Sequence, residues 1–297
     1  MDLRGQAVGV RGVRRSGLRV RAPASSANVG AGFDAIGIAV DLPFELASVE
    51  SPGEGWLQCE ATHPAAVAHC EAGGDGALWW RSPIPPGRGL GFSGAARVAG
   101  AFLAALPASV DSGGGDEAEL GSARARALEV ASALEGHPDN AAASAMGGLV
   151  VAAGGRVVRV DPPPGLTVVV WWPPTEVSTR RSRDQLPETV PFVDAVANLA
   201  RSALLVAAVA TGDLTALDEA TRDRLHQDRR LASLPASAAA MESLREAGAF
   251  AVWLSGSGPA VAAFTTDAEA PALAGASLPE GTVRVVPIAS GGVELLG

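Results

Sequence analysis

The 297-residue sequence contains no lysine, so all 23 of its basic residues are arginines. That absence excludes several chemistries. A Walker A loop places a lysine on the β/γ-phosphates, a protein kinase needs one on its third strand, and a pyridoxal enzyme needs one for its Schiff base. Cysteine is nearly as scarce. Cys59 and Cys70 are too few for a disulfide framework and lack the spacing of a metal site, so they read as reduced thiols in or near a core. Long hydrophobic runs are missing as well: apolar stretches such as residues 204–210 fall short of a membrane span. With a net charge of −9 and no dense basic stripe, nucleic acid is a poor partner. The first twenty residues carry five arginines but no continuous apolar segment, which argues against a secretory signal. The expectation is a soluble, cytoplasmic protein whose ragged N-terminus leads into a strand.

Hydrophobic residues make up 47% and charged residues 19%, a globular balance, and the length suits two domains of ordinary size. Residues 17–23 (GLRVRAP) alternate as a strand, and residues 35–40 and 44–50 look like further strand material. From Ser93 the period becomes helical, with Val98, Ala101, Phe102 and Ala105 on one face. Residues 107–121 read as a polar loop, 123–135 as a helix stopped by Gly136, and HPDN (137–140) as the start of a short helix through Met146, followed by strands. The PPPG segment at residues 162–165 is the best boundary, dividing the chain into 1–163 and 164–297. Beyond it come a buried strand, helical stretches at 190–209 and 214–224, and a strand, glycine turn and further element at 249–265.

Three glycine and serine turns stand out. GRGLGFSGAA (87–96) sets four glycines against a helix start. A helix N-terminus exposes unpaired N–H groups and the positive end of its dipole, and glycines let a phosphate reach them without a Cβ in the way. The stretch reads as a phosphate cradle or as a plain tight turn, with Ser93 either capping the helix or reaching a metal ion or phosphate. ASSANVGAGFD (24–34) and WLSGSGPA (253–260) have the same look. Three such turns without a lysine suggest that backbone amides do a lysine's work.

The densest polar cluster is EVASALEGHPDN (129–140). A carboxylate suits Mg²⁺, which points to Glu129, while His137, Asp139 and Asn140 either surround one small site or serve as capping and core residues. Arginine-rich STRRSR (178–183) and LHQDRR (225–230) are solvated charge, or forks that bind a carboxylate bidentately.

Taken together, these motifs resemble the GHMP kinase superfamily and, within it, the homoserine kinases. PASSANVGAGFDAIGIAV is similar to the first family motif, PPGRGLGFSGAA to the phosphate-binding motif, EGHPDN to the segment after the metal-binding helix, and WLSGSGPAV to the third glycine motif, in family order from about residue 20 to residue 262. The resemblance implies a two-domain α+β fold, a ribosomal-protein-S5-like α/β domain followed by a ferredoxin-like α+β domain. It implies ATP-dependent phosphorylation of L-homoserine to O-phospho-L-homoserine on the route to threonine, and pairing as homodimers. It assigns Pro86, Gly87, Arg88, Gly89, Leu90, Gly91, Phe92, Ser93, Gly94 and Ala95 to the triphosphate, and Glu129 with Ser93 to Mg²⁺. Asn28, Asp34, His137, Asn140, Thr179, Arg183 and Arg230 fall to the substrate, Asp34 to its amino group and the arginines to its carboxylate. Glu129, Asn140 and Arg183 are then the catalytic set.

Asparagine is no base near neutral pH, so the expected mechanism is in-line transfer without an Asp base, by positioning and charge neutralisation. Two stretches depart from the family pattern. Phe92 and Gly94 replace a serine and an alanine of the phosphate motif, and Asp228-Arg229 replaces the usual proline and aromatic before the arginine. The alternatives are a GHMP kinase acting on another small hydroxy acid or amino alcohol, or a non-catalytic nucleotide or metabolite sensor of the same fold.

Overall fold

The computed structural model describes residues 13–14, 17–49, 52–177 and 179–297, with the side chains of residues 13–14 and 179–181 outside that description. Up to the PPPG segment the elements are β1 (Val13–Arg14), β2 (Arg19–Ala27), β3 (Ile36–Ala47), β4 (Leu57–Gln58), α1 (Pro64–Glu71), β5 (Gly74–Asp75), β6 (Trp79–Arg81), α2 (Phe92–Ala105), α3 (Glu117–Glu135), α4 (Asp139–Met146), β7 (Leu149–Ala153) and β8 (Arg156–Val160). After it come β9 (Leu166–Trp172), α5 (Thr179–Asp184), α6 (Phe192–Thr211), α7 (Leu217–Thr221), α8 (Gln227–Leu231), α9 (Pro235–Glu246), β10 (Ala251–Leu254), β11 (Val261–Thr266), α10 (Ala270–Ala274), β12 (Thr282–Pro287) and β13 (Glu294–Leu296).

Two large sheets, beside the short β1–β5 pair, organise the described residues. The first runs β13-β2-β3-β6-β4, with β7 paired to the start of β3 and β8 to β7. Its spine is β3, one continuous 12-residue strand where the sequence suggested two. The break in alternation at Pro43 is absorbed because the partner strand shifts register at Pro23/Ala24, a bulge placed where proline withholds its N–H. The second sheet, β10-β11-β9-β12, is antiparallel with helices between β9 and β10 and between β11 and β12. That β-α-β-β-α-β order is the ferredoxin-like arrangement. The last strand, β13, returns to pair with β2, so the chain's end belongs to the first sheet. One apolar cluster joins the layers, from Val20, Ile38 and Phe44 to Val170, Trp253 and Phe264.

Helix α3 begins at Glu117, six residues before the expected start. Asp116 accepts from the Glu119 backbone N–H at 2.8 Å while the Glu119 carboxylate reaches back to Asp116, a capping box whose D-x-x-E signal lay inside the segment read as a loop. The 20-residue α6 is long and apolar enough to cross a membrane. It nevertheless packs Leu205, Ala208 and Val209 inward and buries Asn198, whose amide donates to Asp223 at 2.7 Å. Cys59 is half-buried, with its thiol pushed up to about 12 by burial, whereas Cys70 is exposed rather than near the core.

Candidate active site

Strand β2 delivers the chain to a left-handed turn in which Asn28 (φ 70°) and Asp34 (φ 57°) adopt conformations that Asn and Asp tolerate better than most residues. Asn28 closes the turn on itself, accepting from the Asp34 N–H at 3.1 Å, and donates to the Gly256 carbonyl at 3.0 Å. The first and third glycine turns are thereby pinned together.

The second turn lies between them. Its backbone is held from several sides: the Ser25 N–H donates to the Leu90 carbonyl, Ala260 to Arg88, and Val177 to Gly87. A hydroxyl relay adds to this. The Trp253 indole N–H donates to Ser26 at 2.8 Å, and Ser26 and Ser255 lie 2.7 Å apart. Ser255 donates to the Gly89 carbonyl at 2.6 Å, which leaves Ser26 as donor to Ser255. Gly91 (φ 68°) is the N-cap of α2, and among the described residues no side-chain hydrogen bond caps that helix. A Cβ on Gly91 would lie 2.1 Å from the Ser25 Oγ, so backbone alone fits there. Ser93 is therefore inside the first turn and is not the cap.

These turns surround a cleft lined by Asn28, Asp34, Gly87, Gly89, Leu90, Gly91, Phe92, Ser93, Gly94, Glu135, His137, Asp139, Asn140, Arg183, Arg230 and Gly256, among others. Sequence reasoning brought most of them together. Arg88 turns its side chain outward to Glu176 and the Pro174 carbonyl, and neither Pro86 nor Ala95 lines the cleft. The Thr179 side chain lies outside the described residues.

Glu129 requires correction. Its carboxylate is 70% exposed, bonds Arg126 at 2.8 Å, and is not in the cleft. The glutamate that lines the cleft together with Ser93 is Glu135, the last residue of α3, whose side chain is 9% exposed and held by Arg97 from α2. Six residues advance a helix by about 240°, so the two glutamates cannot share a face. Gly136 (φ 79°) ends α3 and turns the chain straight into His137.

Asp139, buried at the start of α4, organises the polar wall. Its Oδ1 lies 2.9 Å from His137 Nδ1 and accepts from the Asn140 N–H at 2.7 Å, while Ser25 donates to Asn140 Oδ1 at 2.9 Å. The hydrogen bond to Asp139 raises the pKa of His137, outweighing burial, which opposes it. A histidine with a raised folded pKa contributes stability that is full below its unfolded value near 6.5 and is lost as pH rises through the folded value. The melting-temperature gap between wild type and His137→Gln should therefore narrow on raising pH through that window, as calorimetry would read.

Across the cleft, Arg183 on α5 grips Asp34 with two bonds of 2.8 Å. Arg230 is almost fully buried. It donates from Nη1 to the Gly256 carbonyl at 3.0 Å, and its Nε has no partner among the described residues. Burial, then the charge of Arg183, lowers its pKa.

Phe92, which departs from the expected serine, packs its ring among Phe44, Trp80 and His63 with centroids 5.4–5.9 Å away. That ring contributes to the core, so Phe92→Ser should destabilise the fold by about 2–4 kcal/mol, measurable by denaturant titration.

The C-terminal half matches the family model "GHMP kinases C terminal" over residues 205–281. A homoserine kinase from Thermus thermophilus is 40% identical over 292 residues, covering 92% of this chain and 97% of that protein. The chain belongs to the homoserine kinase family. Another member, from Moorella thermoacetica, is 42% identical and covers 82% of this chain and 86% of its own. The crystal structure of homoserine kinase from Cytophaga hutchinsonii superposes with a TM-score of 0.77 at 25% identity, covering 94% of this chain and 97% of that one. A crystal structure of L. major mevalonate kinase, at 16% identity and TM-score 0.64, shares the fold alone. Asp139 was already grouped with His137 and Asn140 by the sequence; the residues of the site to which motif reading gave no role there are Glu135 and Ser25. Glu135 was legible in principle, since it directly precedes the helix-stopping glycine.

Proposed function

We propose that this protein transfers the γ-phosphoryl group of ATP to the side-chain hydroxyl of L-homoserine. The observation that carries the reading is one cleft with a glycine-lined, uncapped helix N-terminus at one end and, at the other, a carboxylate and two arginines suited to the two charges of an α-amino acid. The fork of Arg183 and the buried Nε side of Arg230 fit the α-carboxylate, and Asp34 fits the ammonium group. Asn140, oriented by Ser25 and Asp139, faces the hydroxyl.

Glu135 and Ser93 would hold Mg²⁺. A single carboxylate and a hydroxyl beside the phosphate turn are the donor set expected when phosphates supply most of the ligands. The ion would neutralise charge on the phosphate oxygens. The chain itself positions: the turn at residues 87–94 fixes the phosphates, the α2 N–H groups meet the charge that develops, and Asn140 aligns the acceptor without taking its proton. Pairing into a homodimer and a cytoplasmic location belong to the same proposal. Phosphorus NMR of a reaction with Mg-ATP and L-homoserine tests it: a phosphomonoester signal on the homoserine oxygen supports the reading, and ATP consumption without that product refutes it.

A further inference from the structure

Beneath the arginine side of the cleft lies a histidine that the motifs did not single out. The side chain of His226 is fully buried. Its place is set by Asp223, whose Oδ2 accepts the backbone N–H groups of Leu225, His226 and Gln227 at 3.1, 2.7 and 2.7 Å and so fixes the start of α8. From there the imidazole reaches two partners. Nε2 lies 2.9 Å from the Gly30 carbonyl and Nδ1 lies 3.3 Å from Arg230 Nη1. A carbonyl only accepts and a guanidinium only donates, so the partners dictate one form: neutral, protonated on Nε2, with a lone pair on Nδ1. The ring also stacks on Phe33 at 5.0 Å, and the Phe33 ring lies under the guanidinium groups of both Arg230 and Arg183, at 5.3 and 5.5 Å.

We infer that His226, with Phe33, is a positioning residue that fixes Arg230 relative to Asp34 and so sets the spacing between the carboxylate and ammonium ends of the acceptor site. One end of the imidazole holds the glycine turn that carries Asn28 and Asp34, and the other holds Arg230. A neutral acceptor suits this task. A carboxylate at the same place would consume the charge that Arg230 offers a substrate, and a cation would repel it. The inference rests on the acceptor reading above and adds the residues that hold the acceptor arginine in place.

The groups facing His226 are Asp223 at 3.8 Å, Arg230, and Asp34 across the turn. Burial dominates and keeps the ring neutral, with the Arg230 charge acting the same way and Asp223, the Gly30 carbonyl and Asp34 opposing it. Protonation in acid would remove the Nδ1 acceptor and add a cation beside Arg230.

The test is two-substrate kinetics on His226→Ala, His226→Asn and Phe33→Leu, with homoserine binding by calorimetry in the presence of Mg²⁺ and a non-hydrolysable ATP analogue. His226→Ala should raise the KM for homoserine about tenfold or more while the KM for Mg-ATP and kcat change less than about threefold. His226→Asn, whose carbonyl can replace the Nδ1 acceptor, should recover most of that loss and should lack the acid-side rise in homoserine KM expected of wild type. Phe33→Leu, which keeps apolar volume, should raise the same KM about three- to tenfold. Equal losses in both KM values and kcat, no rescue by asparagine, or an unchanged homoserine KM would each overturn the role of His226. If wild type binds no homoserine in calorimetry, the acceptor reading falls and this inference with it, a result distinct from a defect confined to the variants.

Discussion

Glu135→Gln should reduce kcat with Mg-ATP and L-homoserine by two to three orders of magnitude, whereas Glu129→Gln should leave it within about twofold. The contrast follows from where the two carboxylates sit. Glu135 lines the same cleft as Ser93 and is largely shielded from water; there it would hold the Mg²⁺ that neutralises charge on the phosphate oxygens, and removing one such preorganised electrostatic contribution costs about 10²–10³ in rate. Glu129 points to solvent and pairs with Arg126 one turn away, an exposed contact of small consequence. Steady-state rates across a Mg²⁺ titration would show the Glu135 variant needing more metal as well as turning over slowly. Normal activity in Glu135→Gln, or a collapse in Glu129→Gln, would return the metal to the exposed helix face.

Asp34→Asn should raise the KM for homoserine about a hundredfold with little change in the KM for Mg-ATP. In the structure Asp34 balances Arg183 through two bonds of 2.8 Å across the mouth of the cleft. An amino acid can take the place of both partners at once, offering its ammonium to Asp34 and its carboxylate to Arg183, so removal of the aspartate charge leaves the ammonium unmatched. Losing one member of such a hydrogen-bonded charge pair costs on the order of 2–5 kcal/mol when buried, and Asp34 is partly open to water, which favours the lower end. The measurement has a built-in comparison. Phosphorylation of 4-hydroxybutyrate, which keeps the carboxylate and hydroxyl but lacks the ammonium group, should be poor in wild type and insensitive to Asp34→Asn. If wild type prefers that acceptor, the chain is a GHMP kinase for a hydroxy acid.

Much of this was legible in the sequence because its strongest signals are local. Glycine turns, helical periodicity from Ser93, and the HPDN helix start each follow from short-range chemistry, and the three turns do converge on one cleft. What was not legible depends on rotation about a helix and on contacts between distant segments. The position of Glu129 in a polar cluster gave no measure of which way it faced, and the choice between Glu129 and Glu135 turns on about 240° of helix. The pairing of β13 with β2 joins the two ends of the chain, and no local pattern announces it. Likewise His226 looked like one residue among charges, because its purpose lies in Gly30, nearly two hundred residues away. Phe92 departs from the phosphate motif, yet its ring finds Phe44, Trp80 and His63, a grouping made by tertiary packing.

The most direct test is ADP release by the purified protein with Mg-ATP and, in separate reactions, L-homoserine, 4-hydroxybutyrate, mevalonate, galactose and no acceptor. Release that requires L-homoserine and disappears in Glu135→Gln is the predicted result. Equal release with and without homoserine would contradict the account, and ATP binding with no release for any acceptor would contradict it as well and leave the cleft as a nucleotide-sensing site.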